Sequence, residues 1–248
     1  MNAIVSDIHG NLEALNAVLE DIEAHNITDV ICLGDVVGYG PNPIECLEIV
    51  RKRCKIAVKG NHEEAVISEP VDFNSKAEQA IKWTQEAIRK AHGMQPKLNL
   101  DFLQQLPETA KLDEAVLVHG TPRRPTRDYL FPRDIIDFEK MKDIFAQVDT
   151  YCFAGHTHIP GVFSADCKYT HPSDLMAGVY ILDEEKFIIN VGSVGQPRDG
   201  DPRASYCTFD GDSVVFRRVK YDFNKTMRKI YAIDSLQNSL GDRLAEGR

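Results

Sequence analysis

"AIVSDIHGNLEALNAVLEDIEAHNITDVICLGD" occupies residues 3–35 and holds three elements in a row. A short apolar, β-branched run breaks at Asp7 and reads as a buried strand. Leu12, Leu15, Val18, Leu19 and Ile22 then recur at helical spacing, with Asn11 positioned to cap the helix. "DVICLGD" (29–35) returns to a strand. A second round follows at once. "PNPIECLEIVRKR" (41–53), with Pro43 near its start, reads as a helix, and "KIAVKGNHE" (55–63) as a third strand. Strands alternating with helices predict a parallel sheet joined by crossover helices.

Further along, "AVLVHGTP" (115–122) and "YCFAGHTH" (151–158) repeat the pattern of an apolar run ending at a glycine. Residues 63–106 read as mostly helical, most clearly "SKAEQAIKWTQEAIRKAH" (75–92), whose Trp83 is assigned to the core. An amphipathic helix is predicted over 134–147. From 159 to 221 the pattern changes to strands and turns, with "DGD" (210–212) as a hairpin turn. A helix near 223–233 and a polar tail close the chain. With 248 residues, no repeats and no linker-like composition, one domain with two sheets is the simplest organisation.

Hydrophobic residues make up 43% of the chain and charged ones 27%, as in ordinary globular proteins. The formal charge of −9 argues against stable binding to nucleic-acid backbone. Phosphate chemistry would therefore need bound cations or a local arginine cluster. The six cysteines form no C-x-x-C pair and read as small hydrophobes, so a reducing, cytoplasmic setting is expected. The first apolar run is too short for a signal peptide, and no stretch approaches a membrane span.

Polar residues gather where these strands end. Asp7 and His9 follow the first strand, Asp35 the second, Asn61 and His62 the third, His119 the fourth, and His156 and His158 the fifth. Ligands of open α/β sheets bind at the carboxyl ends of strands, so five strand ends deliver these groups to one rim. Any one of them alone is more readily a turn or cap residue. Five of the eight histidines at strand ends beside glycine are not an ordinary distribution, whereas His25, His92 and His171 read as surface or packing residues. The donors are nitrogen and oxygen with no thiolate, which suits Mn, Fe, Zn or Ni. They are too many for one tetrahedral ion and about enough for two, with a carboxylate able to bridge. Thr157 spaces His156 from His158 so that the pair can reach two ions.

"DIH" (7–9), "GD" (34–35), "GNHE" (60–63), "HG" (119–120) and "GHTH" (155–158), in that order, resemble the motifs of the calcineurin-like metallophosphoesterases. "NVGSVGQPRDGDPRASY" (190–206) resembles the small prokaryotic phosphodiesterase branch of that superfamily. The resemblance implies a four-layer α/β-β/α sandwich, as a single metallophosphoesterase domain over residues 1–248. It implies that Asp7, His9 and His158 ligate one metal, that Asn61, His119 and His156 ligate a second, and that Asp35 bridges them. His62 takes the place of the family's non-ligand histidine, the proton donor to the leaving oxygen; the alternative is a third-strand ligand or a structural residue. The implied reaction is in-line attack on phosphorus by a hydroxide held between the metals.

The substrate is less sharply indicated. Protein phosphatases of the serine/threonine class and symmetrically cleaving diadenosine tetraphosphate hydrolases usually carry an arginine and often a second acid just after "GD"; here Gly38 and Tyr39 stand in those places. Arg198 and Arg203, in the loop "GSVGQPRDGDPRAS" (192–205), are the substitutes expected to bind substrate, unless they pair with Asp199 and Asp201. Arg123, Arg124 and Arg127 in "HGTPRRPTRDY" (119–129) rank behind them. Tyr39 could stack on a base or aryl ester, or pack. The expected activity is a phosphodiesterase acting on small phosphodiesters or nucleotides, including dinucleoside polyphosphates. The alternatives are a phosphomonoesterase or serine/threonine protein phosphatase on the same metals, and a catalytically inactive binding module. The last is disfavoured because every ligand and the acid histidine are in place.

Overall fold

β1 (Asn2–Val5), α1 (Leu12–Ala24), β2 (Asp29–Cys32), α2 (Pro43–Arg53) and β3 (Cys54–Ala57) form two strand–helix–strand units in the computed structural model, which describes residues 1–248. Both strand pairings, β1 with β2 and β2 with β3, are parallel. Asn11 caps α1, its side chain accepting from the Ala14 amide, and Pro43 opens α2. Three helices follow, α3 (Asn61–Ile67), α4 (Ser75–Lys90) and α5 (Gln95–Gln105). Then come β4 (Thr109–Leu112), β5 (Ala115–Val118), α6 (Phe138–Phe145), β6 (Tyr151–Ala154), β7 (Gly161–Ser164) and β8 (Tyr169–Thr170). The last strands are β9 (Val179–Ile181), β10 (Phe187–Asn190), β11 (Ala204–Phe209) and β12 (Ser213–Val219), and α7 (Phe223–Tyr231) and α8 (Ser239–Glu246) end the chain.

The strands make two mixed sheets of six, ordered β3-β2-β1-β11-β12-β9 and β4-β5-β6-β10-β7-β8. Period-two alternation sorts their side chains into layers. In β1, Ala3 and Val5 face α1 and α2 through Val18, Ile22 and Leu47, while Ile4 points to the other sheet. In β6, Cys152 and Ala154 face α6 through Met141 and Ile144, while Phe153 points inward. Ile4, Ile31, Leu33, Leu117, Phe153 and Ile189 thus form the seam between the sheets. Burial of each such side chain contributes about 1.5–3 kcal/mol. Helices, sheet, sheet and helix are the four layers of the expected α/β sandwich.

The rim holding the polar residues is therefore shared: β1, β2 and β3 end there from one sheet, β5 and β6 from the other. Two local expectations need correction, and one strand had none. The segment 134–147 is broken, with a 3-10 turn at Pro132–Ile136 and α6 starting anew at Asp137, whose side chain caps it by accepting from the Lys140 amide. Thr109–Leu112 is a strand, although "TAKL" carries no clear strand signal. The polar tail contains α8, whose Leu240 and Leu244 pack with Ala80, Ile230 and Leu236. Trp83 is half-buried against that same cluster.

Candidate metal centre

Asp7, His9, Asp35, His119, His156 and His158 are all buried at the shared rim. Five of them, all but His119, have a left-handed backbone, with φ of 54° at Asp7, 49° at His9, 51° at Asp35, 66° at His156 and 61° at His158. Such conformations cost non-glycine residues about 1–3 kcal/mol each and persist only where the surroundings impose them. Here they turn each side chain off the strand end toward one point. Gly155 is needed because any side chain there would run into Ser6 and the Asp7 carboxylate.

Hydrogen bonds to backbone carbonyls set the histidine tautomers. His9 Nδ1 lies 3.1 Å from Val37 O, His119 Nδ1 2.9 Å from Leu33 O, and His158 Nδ1 2.5 Å from Gln196 O. A carbonyl only accepts, so each Nδ1 carries a proton and Nε2 is the atom left for a metal or a second proton. His9 Nε2 then faces His158 Nε2 at 3.1 Å, and His158 Nε2 faces Asp7 Oδ1 at 3.1 Å. His119 Nε2 faces Asn61 Oδ1 at 3.2 Å, His156 Nδ1 at 3.0 Å and Asp35 Oδ2 at 3.3 Å. Lone pairs opposed at these distances repel unless a cation lies among them. Asp7 Oδ1 and His156 Nε2 are buried without a hydrogen-bond partner.

Candidate donor atoms of Asp7, His9 and His158 lie within 4.8 Å of one another, as do those of Asp35, His119 and His156, and those of His9, Asp35 and His62. Asp35 belongs to two of these groups, and the donor set fits oxygen- and nitrogen-loving divalent ions. Burial disfavours charge on His119, yet the Asp35 carboxylate outweighs it and pushes His119 up to about 9. Proton and metal are alternatives at that nitrogen. Burial also opposes ionisation of Asp7 and Asp35, but His158 beside the first and His119 beside the second hold both carboxyls below their usual range. Burial lowers His156 to about 3 and His62 to about 4.

His62 starts α3 with Asn61, its amide donating to Asp35 Oδ1 at 2.9 Å. Its ring packs against Tyr39 (4.6 Å between centroids) and edge-on against Phe73, and its Nδ1 has no partner. Gly38 leaves room for that ring, since a side chain there would overlap it. A cavity of about 250 Å³ opens above these groups, lined also by Arg124, Arg127, Tyr129 and Arg198. Arg198 and Tyr39 face it together, the guanidinium 6.0 Å from the ring centre. Arg203 does not join them, because it pairs with Asp201. Arg127 is paired with Glu64 at 2.9 Å, and Arg123 with Asp128 at 3.0 Å.

Several contributors escaped the sequence reading. Glu63 is buried, and its carboxylate accepts from the amides of Asp35 (2.7 Å), Val36 (2.8 Å), Val37 (3.2 Å) and Gly60 (2.9 Å). Burial and the Asp35 charge push it up to about 7, while the amide donors favour its ionised form. Its place in "GNHE" was the available signal. Asn190, a lone amide ending the apolar strand "FIIN", donates to Gly155 O at 2.6 Å and Thr157 Oγ1 at 3.0 Å. Thr157 is thus a fastening point rather than only a spacer. Tyr129 stacks on His156 at 3.7 Å and had no local signal.

The match with known families agrees with this geometry: residues 1–213 fit the calcineurin-like phosphoesterase superfamily domain. The chain belongs to that family. As a member it is a metal-dependent phosphoester hydrolase. An uncharacterised protein of Methanocaldococcus jannaschii is 43% identical over 258 aligned positions, covering 100% of this chain and 98% of its own. The crystal structure of a metallophosphoesterase from Sphaerobacter thermophilus superposes with a TM-score of 0.84 at 38% identity, covering 100% of this chain and 98% of that one. A hypothetical protein from Pyrococcus horikoshii OT3 shares the fold at a TM-score of 0.77 and 20% identity, with 100% and 99% covered.

Proposed function

We propose that this metallophosphoesterase is a dinuclear phosphodiesterase acting on small phosphodiesters or nucleotides, dinucleoside polyphosphates among them. The observation that carries the reading is the opposition of bare imidazole nitrogens, with His9 facing His158 and His119 facing His156 on either side of Asp35. Asp7, His9 and His158 would hold one ion, Asn61, His119 and His156 the other, and Asp35 would touch both. Manganese, iron, zinc and nickel suit these donors. Bound there, the ions would offset charge on the phosphoryl oxygens and supply a water nucleophile of lowered pKa.

The chain's own residues orient the ester and manage the proton. Burial keeps His62 neutral near pH 7, so it meets the leaving oxygen as a hydrogen-bond donor. The arriving phosphate charge raises its pKa and favours proton transfer to that oxygen. Tyr39 and Phe73 fix the ring between them. Arg198, which makes no ion pair, offers its fork to the phosphate. Arg203 is left out because Asp201 occupies it. Aromatic faces at Tyr39, Phe73 and Tyr129 around the cavity favour an aryl or nucleoside ester over a phosphoprotein side chain.

Turnover of bis(p-nitrophenyl) phosphate, p-nitrophenyl phosphate, cyclic nucleotides and diadenosine tetraphosphate, each with Mn, Fe, Zn and Ni, tests this reading. The diester kcat/KM is expected to exceed that of the monoester by at least about tenfold. The reverse order would assign a monoesterase or protein phosphatase instead. No bound metal and no turnover with any ion would leave only the binding module.

A further inference from the structure

Two arginines share one oxygen atom at the edge of the cavity. Arg198 Nη2 donates to Gln196 Oε1 at 2.8 Å, and Arg243 Nη1, from α8, donates to the same oxygen at 3.2 Å. Gln196 is buried, and its backbone carbonyl is the one that holds His158. Arg203 is paired with Asp201, Arg218 with Asp199 and Arg248 with Glu246, while Lys76 reaches only the Ser239 hydroxyl. Arg198 and Arg243 make no ion pair, and Arg198 Nε is buried with no partner at all. Two half-buried like charges gathered on a neutral oxygen repel each other, and an anion between them removes the repulsion.

Arg198 lines the cavity above the candidate metal ligands, while Arg243 lines an adjoining cavity of about 300 Å³ with Lys76. Tyr39 and Asn74 line both. Tyr39 packs on His62 at 4.6 Å and on His9 at 4.7 Å, and Gln196 holds His158, so the arginine pair borders the edge of the centre formed by His9, His62 and His158. We propose that Arg198 and Arg243, held on Gln196, bind a second phosphate group carried by the leaving group of the substrate. The substrate class is then a phosphoester continued by another phosphate, as in a nucleoside polyphosphate chain. This step rests on His62 facing the leaving oxygen. Arg243 lies beyond residue 213, where the family match ends.

Calorimetric titration of the metal-loaded wild type, R243M and R243K with inorganic pyrophosphate and with orthophosphate tests the pair without turnover. Pyrophosphate is expected to bind the wild type at least about tenfold tighter than orthophosphate, and R243M to shrink that gap below about threefold. R243K keeps the charge but not the fork, and should retain part of the gap; it replaces R243M if that variant does not fold. A gap absent from the wild type, or unchanged in the variants, overturns the proposal. In parallel, the ratio of kcat/KM for diadenosine tetraphosphate over bis(p-nitrophenyl) phosphate should fall about tenfold in R243M. Wild-type turnover of bis(p-nitrophenyl) phosphate without a pyrophosphate gap would sink the second-phosphate site and leave the diesterase reading standing. A gap dependent on Arg243 without diester turnover would do the opposite.

Discussion

Asp7, His9, Asp35, His119, His156 and His158 form the cavity floor at strand ends, most of them tied to backbone carbonyls or amides at 2.5–3.1 Å. Tyr39, Phe73, Arg124, Tyr129 and Arg198 form its wall and Arg243 borders the adjoining cavity; they stand on loops and on the last helix and extend long or aromatic side chains. The floor concentrates left-handed backbone and opposed lone pairs, whereas around it only Tyr39 and Asp72 line the cavity with a positive φ. Strain is spent where donor geometry must be held before a ligand arrives, since preorganised groups need no rearrangement during reaction. The wall bears little of that strain, and rotamers there can adapt to a substrate. The floor accordingly sets the reaction and the wall the ester it accepts.

The sharpest way to break this division is Asp35→Asn, which keeps the shape of the side chain while removing the charge shared by both halves of the floor. Turnover is expected to fall by about a thousandfold or more, and metal bound per chain to drop, as measured by elemental analysis of the purified variant. Full metal content with normal turnover would mean that Asp35 bridges nothing.

Glu63→Gln probes whether the floor is held from beneath. Each carboxylate oxygen accepts from two of the four backbone donors, so the amide's NH2 group would face two of them. A loss of about 2 kcal/mol is expected, which lowers Tm by roughly 5 °C in a chain of this size. Turnover should fall with it, because the Asp35 amide loses its anchor. An unchanged Tm at pH 7 would show that Glu63 is already protonated and that a neutral acceptor suffices.

The same division decides what could be read before the structure. Strand ends are dictated by local pattern: an apolar run, then a glycine, then a ligand type, so the floor residues could be collected from short segments. Even there, Glu63 lay inside a recognised motif with no role, because its four partners are backbone amides, three of them from the 35–37 loop. The two-sheet arrangement followed from strands continuing after residue 159, but the missed β4 and the broken 134–147 segment depend on tertiary pairing and a proline. Wall residues carry no such signature. Arg198 and Arg203 share a loop and a residue type, and what separates them is distant. Arg218 on β12 claims Asp199, leaving Arg198 free, while Asp201 accepts from both the amide and the guanidinium of Arg203. Arg243 belonged to a segment read as tail, because two leucines four residues apart are a weak helical signal.

The smallest expected effect concerns the fastening of the wall. Glu13 on α1 accepts from Lys229 Nζ at 2.6 Å and from Thr226 Oγ1 at 3.1 Å, tying α7 to the first helix, and α8 packs on α7. Burial works against the Glu13 charge, but the Lys229 contact outweighs it and holds the carboxyl below its usual 4.5. A depressed folded pKa means the stabilisation is complete above about 4.5 and is lost as pH falls through the folded value. Glu13→Gln should therefore lower stability by about 1 kcal/mol at pH 7, with a Tm gap to wild type that closes below about pH 4. Turnover of bis(p-nitrophenyl) phosphate at pH 7 should stay within about twofold of wild type, since the floor does not rest on α7. A gap that persists at pH 3 would mean that Glu13 acts through packing rather than charge. Lost turnover would mean that floor and wall are one cooperative unit, and the division drawn between them would fail.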